Sequence, residues 1–198
     1  DIKPLHIDGS SQVWTWLKEQ TWHGKQDLDA QLYMGYKSDG LYMCVVVQDD
    51  FFSQQHDMPN SWRGDSLQLY VDLMADGSDQ LGTRYDSNDQ VIAIAKSQGH
   101  DQMFRTLPPE WQIGFVDVGP ITDGQCAITH RQGQTVYEFH LPPRQLFPLQ
   151  FKSGTTFGFA LAVNDADADH KRRQALVTTP PPHQPHALPE FWPVVVLE

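Results

Sequence analysis

The sequence has few cations and no long apolar run. Its 198 residues include 14 Lys and Arg against 25 Asp and Glu, which gives a formal net charge of -11. Proteins bind phosphate backbones through clustered cations, so we expect no nucleic-acid partner. No segment approaches the roughly 20 apolar residues that a membrane helix needs, so we expect no membrane insertion.

Long helical periodicity is also missing, and the best short helix is predicted at Val13 to Glu19. Glutamate, which favours helices, occurs 5 times, whereas aspartate, which favours turns and loops, occurs 20 times. The chain also contains 14 Gly and 14 Pro. This composition is typical of an all-β protein.

There are only two cysteines, Cys44 and Cys126, and each lies in an apolar strand-like segment. A free thiol and a disulfide between the two are both compatible with this placement. The spacing does not match a redox motif and does not decide between them.

Many segments alternate apolar and polar residues with a period of two between Gly, Pro, Asn or Asp, which predicts half-buried strands joined by turns. Leu67, Leu69 and Val71 share one face of such a strand, and the segment from Phe157 to Asn164 has only Gly158, Ala160, Ala162 and Asn164 on its second face, which leaves room for a ligand. About nine strands are predicted, at Ala30 to Tyr36, Leu41 to Val47, Ser66 to Asp72, Gln90 to Ala95, Cys126 to His130, Thr135 to Leu141, Phe157 to Asn164, Gln174 to Thr178 and Val194 to Leu197. We expect one domain, residues 1–198, folded as a two-sheet antiparallel β-sandwich of the immunoglobulin-like or jelly-roll type.

The segment from Asn60 to Asp72 is the most informative for function. Trp62 lies on a loop that leads through a Gly-Asp turn into a strand, on which Gln68 faces outward. A sugar ring can stack its C–H groups on an indole while its hydroxyls bond to an amide. The alternative is that Trp62 simply caps the sandwich.

The order of several segments resembles carbohydrate-binding module family 9 and its wider relatives, which include haem-binding DOMON domains. The resemblance spans nearly the whole chain and rests on Ile7-Asp8-Gly9, Gly40-Leu41-Tyr42, Val47-Gln48-Asp49-Asp50, Trp62 to Asp72, Phe157-Gly158-Phe159, Val163 to Asp167, and Phe191 to Leu197. It implies a β-sandwich that holds the end of a sugar chain between two aromatic side chains, often with a structural calcium ion.

By this resemblance Trp62 matches the first clamp tryptophan, Gln68 stands where members commonly have glutamate, and Asn164 matches an asparagine that ends a late strand. Two departures are visible. No tryptophan occupies the loop after Gln174 to Thr178, where His183 or His186 would stack instead, and Gln90 to Ala95 offers no counterpart of the family's binding-site arginine. Arg63 and Arg173 are the further candidates for bonds to hydroxyls.

Alternating carboxylates at Asp165, Asp167 and Asp169 suggest a calcium site, because calcium prefers hard oxygen ligands. The helix-loop-helix calcium pattern does not fit, since its sixth position is His170 instead of glycine. A solvated turn, neutralised by the cations at 171–173, is the alternative.

We therefore expect a carbohydrate-binding module that binds an oligo- or polysaccharide outside the cell or in the periplasm, beside or covalently linked to a glycoside hydrolase. No catalytic motif is recognisable, so the sequence does not predict a catalytic activity for this domain. One rival is a haem b electron-transfer domain, with axial ligands from Met43, Met58, Met74 or Met103 and His56 or His100. Another is a structural accessory domain without a ligand, which would expose an apolar patch.

Overall fold

A computed structural model of the chain describes residues 5–7, 13–15, 25, 27–77, 85–107, 117–170, 172–178 and 188–198, with the backbone alone at 5–7, 13–15, 172–174 and 176. Almost all regular structure in these residues is β-strand. In this part of the chain, no helix has the length and apolar character that crossing a bilayer requires.

The strands are, in chain order, β1 (Leu5–Ile7), β2 (Val13–Thr15), β3 (Leu28–Lys37), β4 (Gly40–Asp49), β5 (Ser66–Asp72), β6 (Asp89–Ser97), β7 (His100–Leu107), β8 (Gly119–Pro120), β9 (Gln125–His130), β10 (Gln134–Leu141), β11 (Thr156–Ala166), β12 (Arg172–Val177) and β13 (Val194–Val196). Short 3₁₀ turns lie at Met58–Arg63, Pro143–Leu146 and Pro189–Phe191.

These strands form two antiparallel sheets. The five-stranded sheet has the order β1-β3-β4-β10-β9. The eight-stranded sheet has the order β2-β12-β11-β5-β6-β7-β8. Its eighth strand, β13, pairs with the first residues of β11, from Thr156 to Gly158. The predicted two-sheet antiparallel sandwich is confirmed.

The core lies between the sheets and is made by the inward faces of the alternating strands. Val45 of β4 and Leu69 of β5 are both 0% exposed, and Leu161 of β11 is also 0% exposed. The faces predicted from the period of two are therefore the faces that the fold buries.

The short helix predicted at Val13 to Glu19 is wrong for its first turn, because Val13–Thr15 pairs with β12 as an edge strand. Residues 16–19 lie outside the described part of the chain. The count of about nine strands is also too low. The prediction missed β1, β2, β8 and, above all, the long strand β7.

Strand β7 is absent from the sequence prediction because an arginine occupies one of its inward positions and interrupts the apolar pattern. Arg105 is 2% exposed. Its Nε–H donates to Gln90 Oε1 at 3.1 Å, and its Nη2 donates to Gln145 Oε1 at 2.7 Å. Burial lowers the pKa of Arg105 to about 10. Neutral amides thus satisfy a buried cation, and the apolar pattern is interrupted without opening the core.

Both cysteines are free thiols. Cys44 lies opposite Glu138 on the outer face of the five-stranded sheet, whereas Cys126 lies opposite Phe139, whose side chain belongs to the core. The two thiols therefore point to opposite faces of one sheet, and the free-thiol alternative holds. Burial raises the pKa of Cys126 to about 12.

The outer face of the eight-stranded sheet is partly covered by the last described segment. Trp192 packs in a cluster with Ala160 and Ala162, and its ring lies 5.7 Å from that of Tyr70. The room predicted over the small residues of β11 is therefore partly filled by Trp192. Farther along the strands, Gln68 is half-buried and Asn164 is buried.

Candidate functional site

The 3₁₀ turn Met58–Arg63 presents Trp62 beside the outer face of the eight-stranded sheet. Pro59 lies in its first turn, and the N–H of Gly64 donates to the carbonyl of Ser61 at 3.0 Å to close it. Met58 anchors the turn by packing with Ala93 and Ala95 of β6. Trp62 is 37% exposed, so its indole is accessible at the surface.

Gly64 is required where this turn meets the preceding loop. A Cβ at this position would lie 2.8 Å from the carbonyl oxygen of Ser53 and 2.8 Å from Oε1 of Gln54. The loop can approach this closely only because residue 64 has no side chain. The contact fixes the turn that carries Trp62.

Arg63 shares the surface of the indole. Its guanidinium carbon lies 5.1 Å from the centroid of the Trp62 ring, which is the geometry of a cation–π contact. The two residues predicted to contact sugar from this turn are therefore in contact with each other.

Gln68 and Asn164 lie together on the outer face of the same sheet. Asn164 pairs with Ser66 across the β5–β11 ladder. Its Nδ2 donates to Ser66 Oγ at 3.1 Å and approaches Gln68 Oε1 at 3.4 Å. Ser66 Oγ in turn donates to the carbonyl of Ser61 at 2.8 Å, which links the two amides to the Trp62 turn. We call Trp62, Gln68 and Asn164 the Trp62 surface.

One acceptor of this surface is left without a partner. Asn164 is 2% exposed, and among the described residues its Oδ1 has no hydrogen-bond partner. A buried polar atom in a native protein is nearly always hydrogen-bonded. The Asn164 carbonyl oxygen is therefore a buried acceptor at the base of this surface, without a partner among the described residues.

The neighbours of Gln68 are small. Across the ladders it lies opposite Ala93 of β6 and Ala162 of β11. The strand Asp89–Ser97 places Ala93, not a cation, beside Gln68. This agrees with the prediction from the sequence that Gln90 to Ala95 has no counterpart of the family's binding-site arginine. Polar contacts at this face are thus fewer than the family resemblance implies.

Three buried carboxylates gather where β4 ends, β5 begins and β11 approaches its end. Asp49, Asp65 and Asp165 are 3%, 2% and 2% exposed. Each offers an oxygen within 4.8 Å of the others. We call these residues the aspartate cluster.

Backbone groups hold the aspartate cluster in place. The N–H groups of Ser53 and Ala166 donate to Asp65, and the N–H of Phe51 donates to Asp49 Oδ1 at 2.8 Å. Burial raises the pKa of Asp65 well above its ordinary value, and the neighbouring Asp49 raises it further. Burial likewise raises the pKa of Asp49. The cluster is built from carboxyl groups that repel one another when ionised.

The predicted calcium ligands are divided between different places. Asp165 joins the aspartate cluster, whereas Asp167 forms a second, more exposed group with Asp27 and Asp50. Asp169 is exposed and belongs to neither of these groups. Sequence reasoning missed Asp65 as a partner of Asp165, although both stand at strand ends.

The side chains of the remaining predicted sugar contacts lie outside the described part of the chain. Arg173 lies in β12, but only its backbone belongs to the described part of the chain. His183 and His186 lie outside the described residues. Their assignment stays a prediction from the sequence.

Three of the four methionines of the haem alternative have packing roles. Met43 and Met103 belong to the core between the sheets, and Met58 packs on the outside with Ala93 and Ala95. Met74 is 51% exposed. Met43, Met58 and Met103 therefore pack as apolar side chains, and only Met74 is exposed among these four.

A two-sheet antiparallel sandwich with an exposed indole and amides on one outer face has the architecture of carbohydrate-binding modules. The chain belongs to the family described as carbohydrate family 9 binding domain-like, which matches residues 9–198.

Two solved structures show how far the fold agrees. A carbohydrate-binding module of family 9 from Caldicellulosiruptor kristjanssonii, in complex with cellotriose, aligns over 100% of this chain and 83% of its own, with a TM-score of 0.71 and 15% identity. Its complex with glucose aligns over 100% and 84%, with a TM-score of 0.70 and 16% identity. Comparison with curated proteins gives no match.

Proposed function

We propose that the chain is a non-catalytic module that binds a neutral glycan at the Trp62 surface. The observation that carries the proposal is the exposed indole of Trp62, linked through Ser61 and Ser66 to the amides of Gln68 and Asn164 on one face of the fold. A sugar ring would stack on the indole, while its hydroxyls bond to the amides.

A neutral ligand fits the charge of this surface. Gln68 and Asn164 are uncharged, so their bonds to hydroxyls lack the added strength of charge-assisted hydrogen bonds. One stacking contact and a few neutral hydrogen bonds, offset by lost freedom, predict dissociation constants from roughly micromolar to millimolar. The solved family members bind cellotriose and glucose, and we propose β-linked glucose or xylose oligomers as the first ligands to test.

We further propose that the aspartate cluster holds a structural calcium ion. Calcium takes six to eight oxygen ligands, and carboxylates are its preferred protein donors. Asp49, Asp65 and Asp165 supply three carboxylates within 4.8 Å of one another and lie away from solvent. Asp65 immediately precedes β5 and receives N–H bonds from the loop at Ser53 and from Ala166 of β11. An ion at this position would therefore fix the frame of the Trp62 surface.

The biological role that follows is targeting. A module of this kind would hold a linked or neighbouring glycoside hydrolase on its polysaccharide, in the periplasm or outside the cell.

The proposal is tested by isothermal titration calorimetry with cello- and xylo-oligosaccharides. Trp62→Ala should weaken binding at least tenfold, whereas Trp62→Phe should retain part of it, because the stacking surface is reduced but not removed. Phe147→Ala is the matched control, since Phe147 is an aromatic side chain that is 58% exposed. Unchanged binding by Trp62→Ala would show that the glycan is bound elsewhere.

A further inference from the structure

The outer face of the five-stranded sheet carries an open trough that is separate from the Trp62 surface. It has a volume of about 450 Å³, within the range of about 300–1,000 Å³ that is usual for ligand pockets. The trough crosses β3, β4, β10 and β9, and four adjacent strands cover about 14 Å at the usual spacing of about 4.8 Å. Its long direction therefore runs across the strands.

The register of the four strands explains the depression. One row across the sheet is Tyr33, Cys44, Glu138 and Ala127, and the next row is Gly35, Tyr42, His140 and Gln125. The small side chains of Cys44 and Ala127 in the first row rise little above the sheet and form the floor of the depression. In the second row, Gly35 has no side chain and leaves space beside Tyr42. Burial, followed by the charge of Glu138, raises the pKa of the Cys44 thiol, as expected for a group on the floor of the trough.

One wall is an aromatic ledge that the neighbouring turn holds in place. The rings of Tyr42 and His140 stack with centroids 4.4 Å apart. The hydroxyl of Tyr42 donates to Asp39 Oδ2 at 2.9 Å, and Nε2 of His140 lies 2.9 Å from the carbonyl oxygen of Asp39. A single turn residue thus orients both rings, and such a ledge can contact a ligand without first being ordered.

Hydrogen-bonding groups border the same space. The exposed side chains of Glu138 and Gln125 lie along the trough, and Tyr33 stands at its β3 end with its hydroxyl donating to Gln31 Oε1 at 3.0 Å. Carboxylate, amide and phenol groups beside an aromatic ledge provide the acceptors, donors and apolar surface that the hydroxyls and C–H groups of a sugar require.

The position of the trough disfavours two other kinds of ligand. A peptide that adds a strand needs a free sheet edge, but the two central strands of the trough, β4 and β10, are paired on both sides, and of its four strands only β9 lies at an edge of this sheet. An anionic ligand would meet Glu138 and a chain of net charge -11. A neutral chain molecule that lies across the strands meets neither obstacle.

We propose that this trough is a second glycan-binding site, which accepts an internal stretch of a neutral oligosaccharide. The choice of a glycan as the ligand rests on the proposed function, whereas the location of the trough does not. A module with two such sites could hold one polysaccharide at separate points, or two neighbouring chains, and gain avidity from their linkage.

The test is a titration of the ¹⁵N-labelled full chain with cellohexaose, followed by amide chemical shifts. We expect saturable shifts at Gly35, Cys44 and Ala127 in the wild type and in Trp62→Ala. Tyr42→Ala and Glu138→Ala should each raise the dissociation constant obtained from these shifts at least tenfold. Phe147→Ala should leave that constant unchanged. Glu138→Gln keeps the size of the side chain and tests the carboxylate even if Tyr42→Ala does not fold.

The possible outcomes separate the two sites. Shifts confined to Gln68, Asn164 and their neighbours would overturn the second site and leave the proposed function intact. Shifts in the trough without shifts at the Trp62 surface would support the second site and contradict glycan binding at the Trp62 surface. Shifts in the trough that none of the three Tyr42 and Glu138 variants weakens would also overturn this assignment.

Discussion

The aspartate cluster gives the most quantitative prediction. Asp49, Asp65 and Asp165 form three pairs of carboxylates within 4.8 Å. At this separation two unit charges repel by about 3 kcal/mol for an effective dielectric constant of about 20. Three such pairs would cost roughly 10 kcal/mol, which is comparable with the whole stability of about 5–15 kcal/mol typical of a folded domain. The folded chain therefore needs bound cations or bound protons at this place.

Calcium that binds only the folded state stabilises it by mass action. The gain is about 2.7 kcal/mol when free calcium is about 100 times the dissociation constant. In a domain of this size about 1 kcal/mol shifts the melting temperature by about 2–4 °C. We expect excess calcium to raise the melting temperature of chelator-treated protein by about 5–11 °C in differential scanning calorimetry.

Variants assign the effect to the cluster. Asp65→Asn removes one charge from the ion's ligands, so the calcium-dependent rise should be largely lost. Asp169→Asn changes an exposed aspartate of the following loop and should retain it. Burial raises the pKa of Tyr137 well above its ordinary value, and the nearby charges of all three carboxylates raise it further. Terbium bound at the cluster should therefore show tyrosine-sensitised luminescence. A wild-type melting temperature that is the same in calcium and in chelator would refute the reasoning.

Two further predictions concern stability. Gly40→Ala should destabilise the fold by about 2 kcal/mol or more in urea denaturation, because its Cβ would lie 2.2 Å from the carbonyl oxygen of Leu141 at a φ of +138°. Gly154→Ala, at a φ of +85° with open space around it, should cost only about 1 kcal/mol, and equal losses would contradict the steric argument. Burial, together with the charges of neighbouring aspartates, raises the pKa of Asp89 to about 8. Its neutral form is therefore favoured on folding, so stability should fall between pH 4 and pH 8 by up to about 1.4 kcal/mol for each pH unit, and Asp89→Asn should flatten that slope in denaturation curves.

The strands that could be predicted are those whose inward residues are mostly apolar. In β4, β5 and β11 an apolar core residue recurs at every second position over most of the strand, so their core faces follow from the sequence. β7 could not be predicted because Arg105 interrupts its apolar face. The buried guanidinium is stabilised by Gln90 and Gln145, and those contacts exist only in the folded chain. β2 is only three residues long, so its partner strand defines it more than its own pattern does.

The candidate site divides in the same way. Trp62 and Gln68 lie six positions apart, so local turn and strand chemistry was enough to suggest them. The aspartate cluster joins Asp49, Asp65 and Asp165, which come from distant parts of the chain and meet only through the pairing of β5 with β11 and the return of the loop at Ser53. The trough on the other sheet depends on the register of four strands, which no local pattern determines.

The central claim is that a sugar ring stacks on Trp62. The most direct measurement is the indole N–H region of the ¹H–¹⁵N spectrum during titration with cellotriose, with the Trp62 signal assigned from its loss in Trp62→Phe. The account predicts that the Trp62 signal shifts saturably and with the dissociation constant found by calorimetry. Saturable cellotriose binding with an unmoved Trp62 signal would contradict it.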